Sequence, residues 1–232
     1  MRSLHAVAVL LAVTPTLQAQ AQAVPQYTIE QFMKTVSVRG ASFAPDEKTI
    51  LYASNQDGVF NLYEIPVTGG AATQRTTWTE NGYLGAATFF PKDKRILYFR
   101  DIGGNENTHA FVLSPDGSVK DLTPGDKVRA QFGGWATDDK SFFVSTNARD
   151  PKFFDLYEVP VATLEPTLLY QNTDGYFIGP VSPDRRYVAL VKPYTTQNND
   201  LFLYDRTTKQ ATLISKHEGD ATYSTSGFSP DG

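Results

Sequence analysis

The chain has 232 residues, of which 41% are hydrophobic and 20% are charged, and its formal net charge is −4. This composition is typical of a globular protein and excludes a disordered chain. The acidic balance argues against nucleic acid and anionic lipid as partners, because both need a concentrated basic surface. Since the chain contains no cysteine, disulfides, a thiolate nucleophile and cysteine-bound metals are excluded as well.

Residues 1–23 have the pattern of a secretory signal peptide. A basic start precedes an apolar stretch from Ala6 to Val13, and a tract of small residues ends at Ala23. The apolar stretch is much shorter than the roughly 20 residues that cross a bilayer, so we expect cleavage and no membrane anchor in the mature chain. The sequence therefore predicts export to the periplasm or the medium, with a mature chain that begins near Gln22 or Val24.

A short helix is predicted between the signal peptide and the repeats. Thr28 to Lys34 has a helical pattern, and Thr28 and Gln31 have the spacing of a capping box. A strand from Val36 to Ala44 is expected to follow. We assign residues 24–40 to this N-terminal helix and lead-in strand.

A short motif recurs along the rest of the chain. Its Pro, or the Thr that replaces it once, stands at residues 45, 91, 137, 183 and 230, which are 46 or 47 residues apart. Pro favours the second position of a type I turn, and Asp side chains accept hydrogen bonds from nearby backbone N–H groups. Each copy therefore predicts a tight corner between two strands, in which the acidic residues are turn residues and not an acid–base pair: Asp46, Asp93, Asp138 and Asp184.

Two strand-like apolar runs follow each of the first four corners, and a turn signal and a weaker strand follow the second run. Four strands in a repeat of about 46 residues are typical of a β-propeller blade, whereas frequent Gly, Pro and Asn turns argue against a helical solenoid. The sequence predicts an all-β propeller of four-stranded antiparallel blades that forms an incomplete ring over 41–232. The blades are expected at 41–76, 86–123, 131–170 and 178–215, and the start of a fifth at 226–232.

The chain resembles a known family over residues 25–232. The Pro-Asp corners, the opening Tyr27–Phe32 and the loop Asp101–His109 with its Gly-Gly-Asn-Glu-Asn sequence are similar to the prolyl oligopeptidase family of serine peptidases. Within that family they resemble the acylaminoacyl-peptidase and dipeptidyl-peptidase branch. The resemblance implies a propeller that covers a C-terminal α/β-hydrolase domain with a Ser, Asp and His triad, and it implies peptide substrates.

The hydrolase domain is not part of this sequence. No G-x-S-x-G motif is present, and Ser229 belongs to a corner motif in which Asp231 stands where the last Gly would be. We therefore expect a propeller truncated before the hydrolase domain, with no catalytic residue and no hydrolysis by this segment alone. A non-enzymatic periplasmic propeller that binds proteins, like the propeller protein of the Tol system, is the alternative.

Three loop residues are the candidates for substrate binding: Asn105, Glu106 and Asn107. The resemblance implies that Glu106 pairs with the ammonium group of a peptide and that the two amides bond peptide groups. The alternative is that Asp101 and the two amides cap the backbone of their own loop. The sequence lacks the adjacent Glu-Glu pair of dipeptidyl-peptidase IV-like members, which argues against strict dipeptidyl-peptidase specificity.

Other candidate sites have simpler interpretations. His109 and His217 lack the spacing of a metal site, so we expect neither a metal nor a cofactor. The pairs Phe142–Phe143 and Phe153–Phe154 are expected to pack between blades, with a peptide-lining channel as the alternative.

Overall fold

The computed structural model describes residues 24–230. The predicted signal peptide, residues 1–23, and the last two residues of the predicted fifth blade lie outside this range. Within it, no helix is both long and apolar enough to cross a membrane. The chain divides into a short N-terminal unit that ends at Thr35 and a main unit that begins at Val36.

The described part of the N-terminal unit contains one short helix, α1, Ile29–Met33. The Thr28 hydroxyl accepts a hydrogen bond from the Gln31 backbone N–H at 3.1 Å, and the Gln31 side chain accepts one from the Thr28 N–H at 2.9 Å. This is the capping box indicated by the sequence. Because no residue of α1 is buried, the cap rather than packing defines where the helix begins.

The main unit confirms the predicted propeller fold, with four antiparallel sheets of four strands each. In every sheet the strands lie side by side in chain order. Blades 1 and 2 consist of β1 Val38–Phe43, β2 Thr49–Ser54, β3 Asn61–Pro66, β4 Thr73–Gln74, β5 Leu84–Phe89, β6 Ile96–Arg100, β7 His109–Leu113 and β8 Val119–Asp121. Blades 3 and 4 consist of β9 Ala130–Trp135, β10 Ser141–Asp150, β11 Phe153–Pro160, β12 Thr167–Tyr170, β13 Phe177–Val181, β14 Tyr187–Thr195, β15 Asn198–Asp205 and β16 Gln210–Leu213.

The residues expected to form a lead-in strand belong to the first blade. β1 pairs with β2, with Phe43 opposite Ile50 and Val38 opposite Ser54. The first sheet therefore begins at Val38 rather than at residue 41, because the lead-in residues supply its first strand.

Blades pack face to face through alternate residues of their strands. In β6, Ile96 and Tyr98 pack against blade 1, while Leu97 and Phe99 pack against blade 3. Successive side chains of a strand point to opposite faces, so both faces of blade 2 are covered. This explains why the sequence shows continuous apolar runs instead of alternation with polar residues.

The same alternation continues in blade 3. Phe142 is 0% exposed and packs toward blade 2, whereas Phe143 is 5% exposed and packs with Val188 and Leu190 of blade 4. The predicted packing role of the Phe142–Phe143 pair is confirmed. Replacing either ring by a small side chain would open a cavity between two blades.

The corners are built as the sequence indicated. In each, a carboxylate oxygen of the Asp accepts a hydrogen bond from the backbone N–H two residues later, at 2.9 to 3.1 Å. This bond lowers the pKa of Asp46 and of Asp138. The turn-residue interpretation of the four acidic residues is confirmed. In three corners the following residue is left-handed, with φ between 55° and 61°: Glu47, Asp139 and Arg185.

Charged side chains also join the corners of neighbouring blades, which the sequence analysis did not foresee. Lys94 lies 3.1 Å from Asp46, and Arg185 reaches from blade 4 to Asp138 at 2.9 Å and to Glu158 at 3.1 Å. Exposed pairs such as the first contribute little to stability. The Arg185 and Glu158 side chains are only 20% and 22% exposed, so their pair adds to the contact between blades 3 and 4.

We predict that Thr137→Pro stabilises the protein. In the turn that contains Thr137, the Asp139 N–H donates to the Ala136 carbonyl at 3.0 Å. The turn that contains Pro183 has the equivalent bond, from the Arg185 N–H to the Ser182 carbonyl at 2.8 Å. Pro restricts the unfolded chain, so the free energy of unfolding should rise by about 0.4 to 1 kcal/mol, as measured by urea denaturation. The matched change Pro183→Thr should lower it by a similar amount, and a loss of stability in Thr137→Pro would contradict the turn assignment.

Candidate functional site

Several connections meet at one end of the propeller. The loop 101–108 joins β6 to β7, and the connections 75–83, 122–129 and 171–176 join successive blades. In an antiparallel blade these segments lie at the same end, opposite the Pro-Asp corners. We call this end, defined by these four segments, the loop end.

Asp101 anchors the loop that carries the candidate residues. Its side chain is 1% exposed. One carboxylate oxygen accepts a hydrogen bond from the Tyr83 N–H at 2.6 Å, and the other accepts one from the Glu106 N–H at 2.9 Å. A Cβ at Gly82 would lie 2.7 Å from the carboxylate, so only glycine fits beside it. Asp101 therefore fixes the loop both to the connection 75–83 and to itself.

The loop turns through three left-handed residues. Gly103, Gly104 and Glu106 have φ values of 64°, 75° and 61°. Glycine adopts this conformation freely, whereas a residue with a side chain is disfavoured by roughly 1 to 2 kcal/mol. The hydrogen bond from the Glu106 N–H to Asp101 helps to hold Glu106 in that conformation. Its side chain is exposed, and its carboxylate has no partner among residues 24–230.

The two amides of the candidate set bond within the protein. The Asn105 side-chain oxygen accepts a hydrogen bond from the Asn107 N–H at 3.0 Å, and the Asn107 side-chain NH₂ donates to the Asp126 carbonyl at 2.9 Å. Asp101 and Asn105 thus cap the backbone of their own loop, whereas the Asn107 side chain joins the loop to the connection 122–129. Substrate binding by Asn105, Glu106 and Asn107 stays a prediction, and Glu106 has the side chain best placed for it.

Sequence reasoning missed that the Asp101 contact is repeated in other blades. Asn55 and Asn147 stand 46 residues before and after it, directly after the apolar run of the second strand. Each of the three side chains accepts a hydrogen bond at 2.6 Å from a backbone N–H 18 residues earlier: Ser37, Tyr83 and Arg129. Pro193 takes this position in blade 4. There, the neighbouring Lys192 donates to the Asp174 carbonyl instead.

The group that faces the second polar atom of the side chain explains why this repeated position is Asp in one blade and Asn in another. The Asn147 NH₂ donates to the Lys127 carbonyl at 3.4 Å, whereas the second oxygen of Asp101 faces the Glu106 N–H. A carboxylate only accepts hydrogen bonds and an amide also donates them. The sequence signal for this set is a polar residue that recurs at the repeat period.

His109 joins β7 to the connection 122–129. Its Nδ1 lies 2.7 Å from an Asp121 carboxylate oxygen, its Nε2 lies 3.0 Å from the Gly125 carbonyl, and its ring stacks on Phe111. Both ring nitrogens are therefore engaged by the protein. His109 holds the connection beside the candidate loop in place.

In the described part of the chain, two of the clefts between blades have aromatic linings and open at the loop end. The cleft between blades 2 and 3 has a volume of about 380 Å³, with Tyr83, Phe99 and Phe132 in its lining. The cleft between blades 3 and 4 has a volume of about 310 Å³, with Phe154 and Phe177 in its lining. These volumes lie at the lower limit of ligand sites. Phe154 lines a cleft, as the alternative of a peptide-lining channel implies, whereas Phe142 and Phe143 are buried between blades.

We predict that Asp101→Asn destabilises the protein. The new amide group would face one of two N–H donors, which loses a hydrogen bond and leaves a buried donor unpaired. The free energy of unfolding should fall by about 1 to 3 kcal/mol, measured by urea denaturation. Asp126→Asn is the matched control, because the exposed Asp126 uses only its carbonyl in this region. Equal effects of the two changes would contradict the anchoring role of Asp101.

Comparison with known proteins links the fold to a family, although no protein-family model matches the chain. Dipeptidyl aminopeptidase BIII of Pseudoxanthomonas mexicana is 32% identical over 133 residues, which is 56% of this chain and 19% of that protein. The chain therefore spans about a fifth of the length of this curated relative.

Solved structures of propellers are similar to the chain as well. A prolyl endopeptidase structure has a TM-score of 0.59 and 18% identity, covering 80% of this chain and 30% of that one. A puromycin-hydrolyzing peptidase of Mycobacterium tuberculosis has a TM-score of 0.54 and 14% identity, with 78% and 31% covered. TolB of Acinetobacter baumannii has a TM-score of 0.52 and 20% identity, with 76% and 43% covered. These structural likenesses establish the fold, and with the curated relative they confirm the predicted resemblance to the propeller region of prolyl oligopeptidase family serine peptidases.

Proposed function

We propose that this chain is the N-terminal propeller segment of an exported serine peptidase. In this proposal, the propeller restricts access to a C-terminal α/β-hydrolase domain and helps to orient peptide substrates. The observation that carries the proposal is the 32% identity to a dipeptidyl aminopeptidase of which the chain spans 19%. The residues from Val38 onward would form part of the propeller, and the nucleophile would lie in the part of the parent protein that this sequence does not include.

The two ends of the propeller differ in their available charged groups, which supports substrate contacts at one end only. At the corner end, Asp46 and its counterparts are engaged by the turn backbone, and Asp46 and Asp138 also pair with cations of adjacent corners. The loop end instead presents the Glu106 carboxylate and two open clefts between blades. A peptide with a free ammonium group would find an unpaired carboxylate there, so we place substrate contacts at the loop end.

A protein-binding propeller without enzymatic activity is the second candidate. The likeness to TolB of Acinetobacter baumannii supports this alternative. The reading frame of the parent gene distinguishes the two candidates. Further blades followed by a G-x-S-x-G motif would support the peptidase, and a propeller with no hydrolase motif would support the binding protein.

We predict export with cleavage of residues 1–23. The apolar stretch from Ala6 to Val13 is followed by small residues that suit a signal peptidase. The intact mass of protein recovered from the periplasm or the medium should correspond to a chain that begins at Gln22 or Val24. A recovered species that retains Met1 would contradict cleavage.

We predict that Glu106→Gln in the full-length parent weakens turnover of peptides with a free N-terminus. The substitution keeps the shape but removes a charge-assisted bond of about 1.5 to 3 kcal/mol, which corresponds to a loss of roughly 10- to 150-fold in kcat/KM. N-acylated peptides should be nearly unaffected, because acylation has already removed the ammonium group.

Glu47→Gln is the matched control for this change. Glu47 is also exposed and left-handed, with φ of 55°, but it lies at the corner end. Glu47→Gln should leave kcat/KM unchanged for both free and N-acylated peptides. Equal losses on free and acylated peptides in Glu106→Gln, or no loss on either, would return Glu106 to a purely structural role.

A further inference from the structure

We propose that the cleft between blades 3 and 4 binds a peptide carboxylate, with an apolar side chain of the same peptide against its aromatic wall. The cavity of about 310 Å³ is lined by Gln131, Ser145, Lys152, Phe154, Tyr176 and Phe177, among others. This site goes beyond the proposed gating role, because it predicts binding by this chain alone and needs no hydrolase domain.

Two positive charges at the cleft lack a negative partner. Lys152 lines the cavity, and the Arg129 guanidinium lies over the Phe154 ring at 5.5 Å from its centre. Across residues 24–230, neither side chain forms an ion pair or a hydrogen bond. The cleft therefore concentrates positive charge on a chain whose net charge is −4, and it favours an anionic ligand.

Within residues 24–230, the carboxylates around the cleft form no ion pair with Lys152 or Arg129. Asp150 accepts a hydrogen bond from the backbone N–H of Lys152 at 2.9 Å. Asp155 is fully buried, and Arg149 binds it through two hydrogen bonds of 2.6 and 2.9 Å. Asp174 accepts a hydrogen bond from the Thr173 hydroxyl, and its carbonyl accepts one from Lys192. Lys192 thus adds a third cation on this side, since its amine also lies over the Tyr176 ring at 5.2 Å.

A hydroxyl group that borders the cleft is also available to a ligand. Ser145 is only 8% exposed and borders the cavity. Its hydroxyl forms no hydrogen bond with any residue from 24 to 230, so it is free to bond a ligand in the cavity. Gln131, its cross-strand neighbour, lines the same cavity and supplies an amide donor. A carboxylate would accept from both side chains, as carboxylates accept several hydrogen bonds at once.

The aromatic wall indicates what accompanies the carboxylate. Phe177 is 66% exposed, so its ring is accessible to a ligand in the cavity. Phe154 and Tyr176 line the same cavity. An apolar side chain next to the carboxylate would cover these rings and remove their surface from water.

The neighbouring cleft provides an internal comparison. The cavity between blades 2 and 3 is larger, at about 380 Å³, and it also has an aromatic lining, but no charged residue lines it. The combination of cations, an unpaired hydroxyl and aromatic rings therefore distinguishes the cleft between blades 3 and 4. We expect the anionic ligand there and not in the larger cleft.

Calorimetric titration of this chain with N-acetylated dipeptides tests the proposal without involving Glu106, because acetylation removes the ammonium group. Acetyl-glycyl-phenylalanine as the free acid should bind, and its C-terminal amide should bind at least tenfold more weakly. A third probe, acetyl-glutamyl-phenylalanine amide, carries its carboxylate on a side chain. Binding of the third probe but not of the free acid would assign the site to acidic side chains, and the reverse would assign it to a C-terminus.

Substitutions of residues at the cleft between blades 3 and 4 test whether the probe binds there. Lys152→Gln and Arg129→Gln should each weaken binding of the preferred probe about tenfold, since each removes one charge-assisted contact. Ser145→Ala should weaken binding by a smaller factor. Lys127→Gln is the matched control. Lys127 is exposed on the same connection as Arg129, but it is not among the residues that line the cleft, and it is Arg129 that lies over the Phe154 ring of the cleft. Thermal unfolding of each variant checks that the fold is retained.

Three results would overturn the proposal. The first is measurable binding of equal strength by acetyl-glycyl-phenylalanine and its C-terminal amide. The second is no binding of any of the three probes at millimolar concentration. The third is unchanged affinity for the preferred probe in folded Lys152→Gln and Arg129→Gln variants.

Discussion

Neighbouring blades bury the apolar faces of their sheets against each other, and every other feature of the main unit depends on this contact. Leu97 and Phe99 of blade 2 pack with Phe142 and Val144 of blade 3, while Phe143 turns to blade 4. Because successive residues of one strand serve two interfaces, the spacing of the blades is fixed by side-chain volume. The corners and loops are thereby gathered at opposite ends, and the clefts open where the packing between blades ends at the loop end.

Polar contacts then fix the loop end on this packed frame. Asp101 joins the connection from blade 1 to the loop that carries Glu106, and Asn147 does the equivalent for Arg129. The two proposed contact points, the Glu106 carboxylate and the cationic cleft, therefore rest on the same kind of anchor in adjacent blades. Their opposite charges would suit the two ends of a peptide, an ammonium group at one and a carboxylate at the other.

The sequence revealed the parts of this structure that are set by local chemistry. Each corner depends on a Pro or Thr and an Asp within a few residues, and the cap of α1 depends on Thr28 and Gln31 alone, so both were predictable. The fold followed from the repeat period. The cleft was not predictable, because Arg129, Ser145 and Lys152 come from three different segments that only blade packing brings together. The candidate loop was identified, but the burial of Asp101 depends on Tyr83 in a different connection.

We propose that peptides contact the propeller at its loop end. The most direct test is to titrate isotopically labelled chain with a short peptide that has free amino and carboxyl groups, and to follow the backbone amide resonances by NMR. We expect chemical-shift changes concentrated in 101–108, 122–129 and 171–176, with the resonances of the corners unchanged. Shifts centred on the corners at Asp46, Asp93, Asp138 and Asp184, or a spectrum that the peptide leaves unaltered, would contradict it.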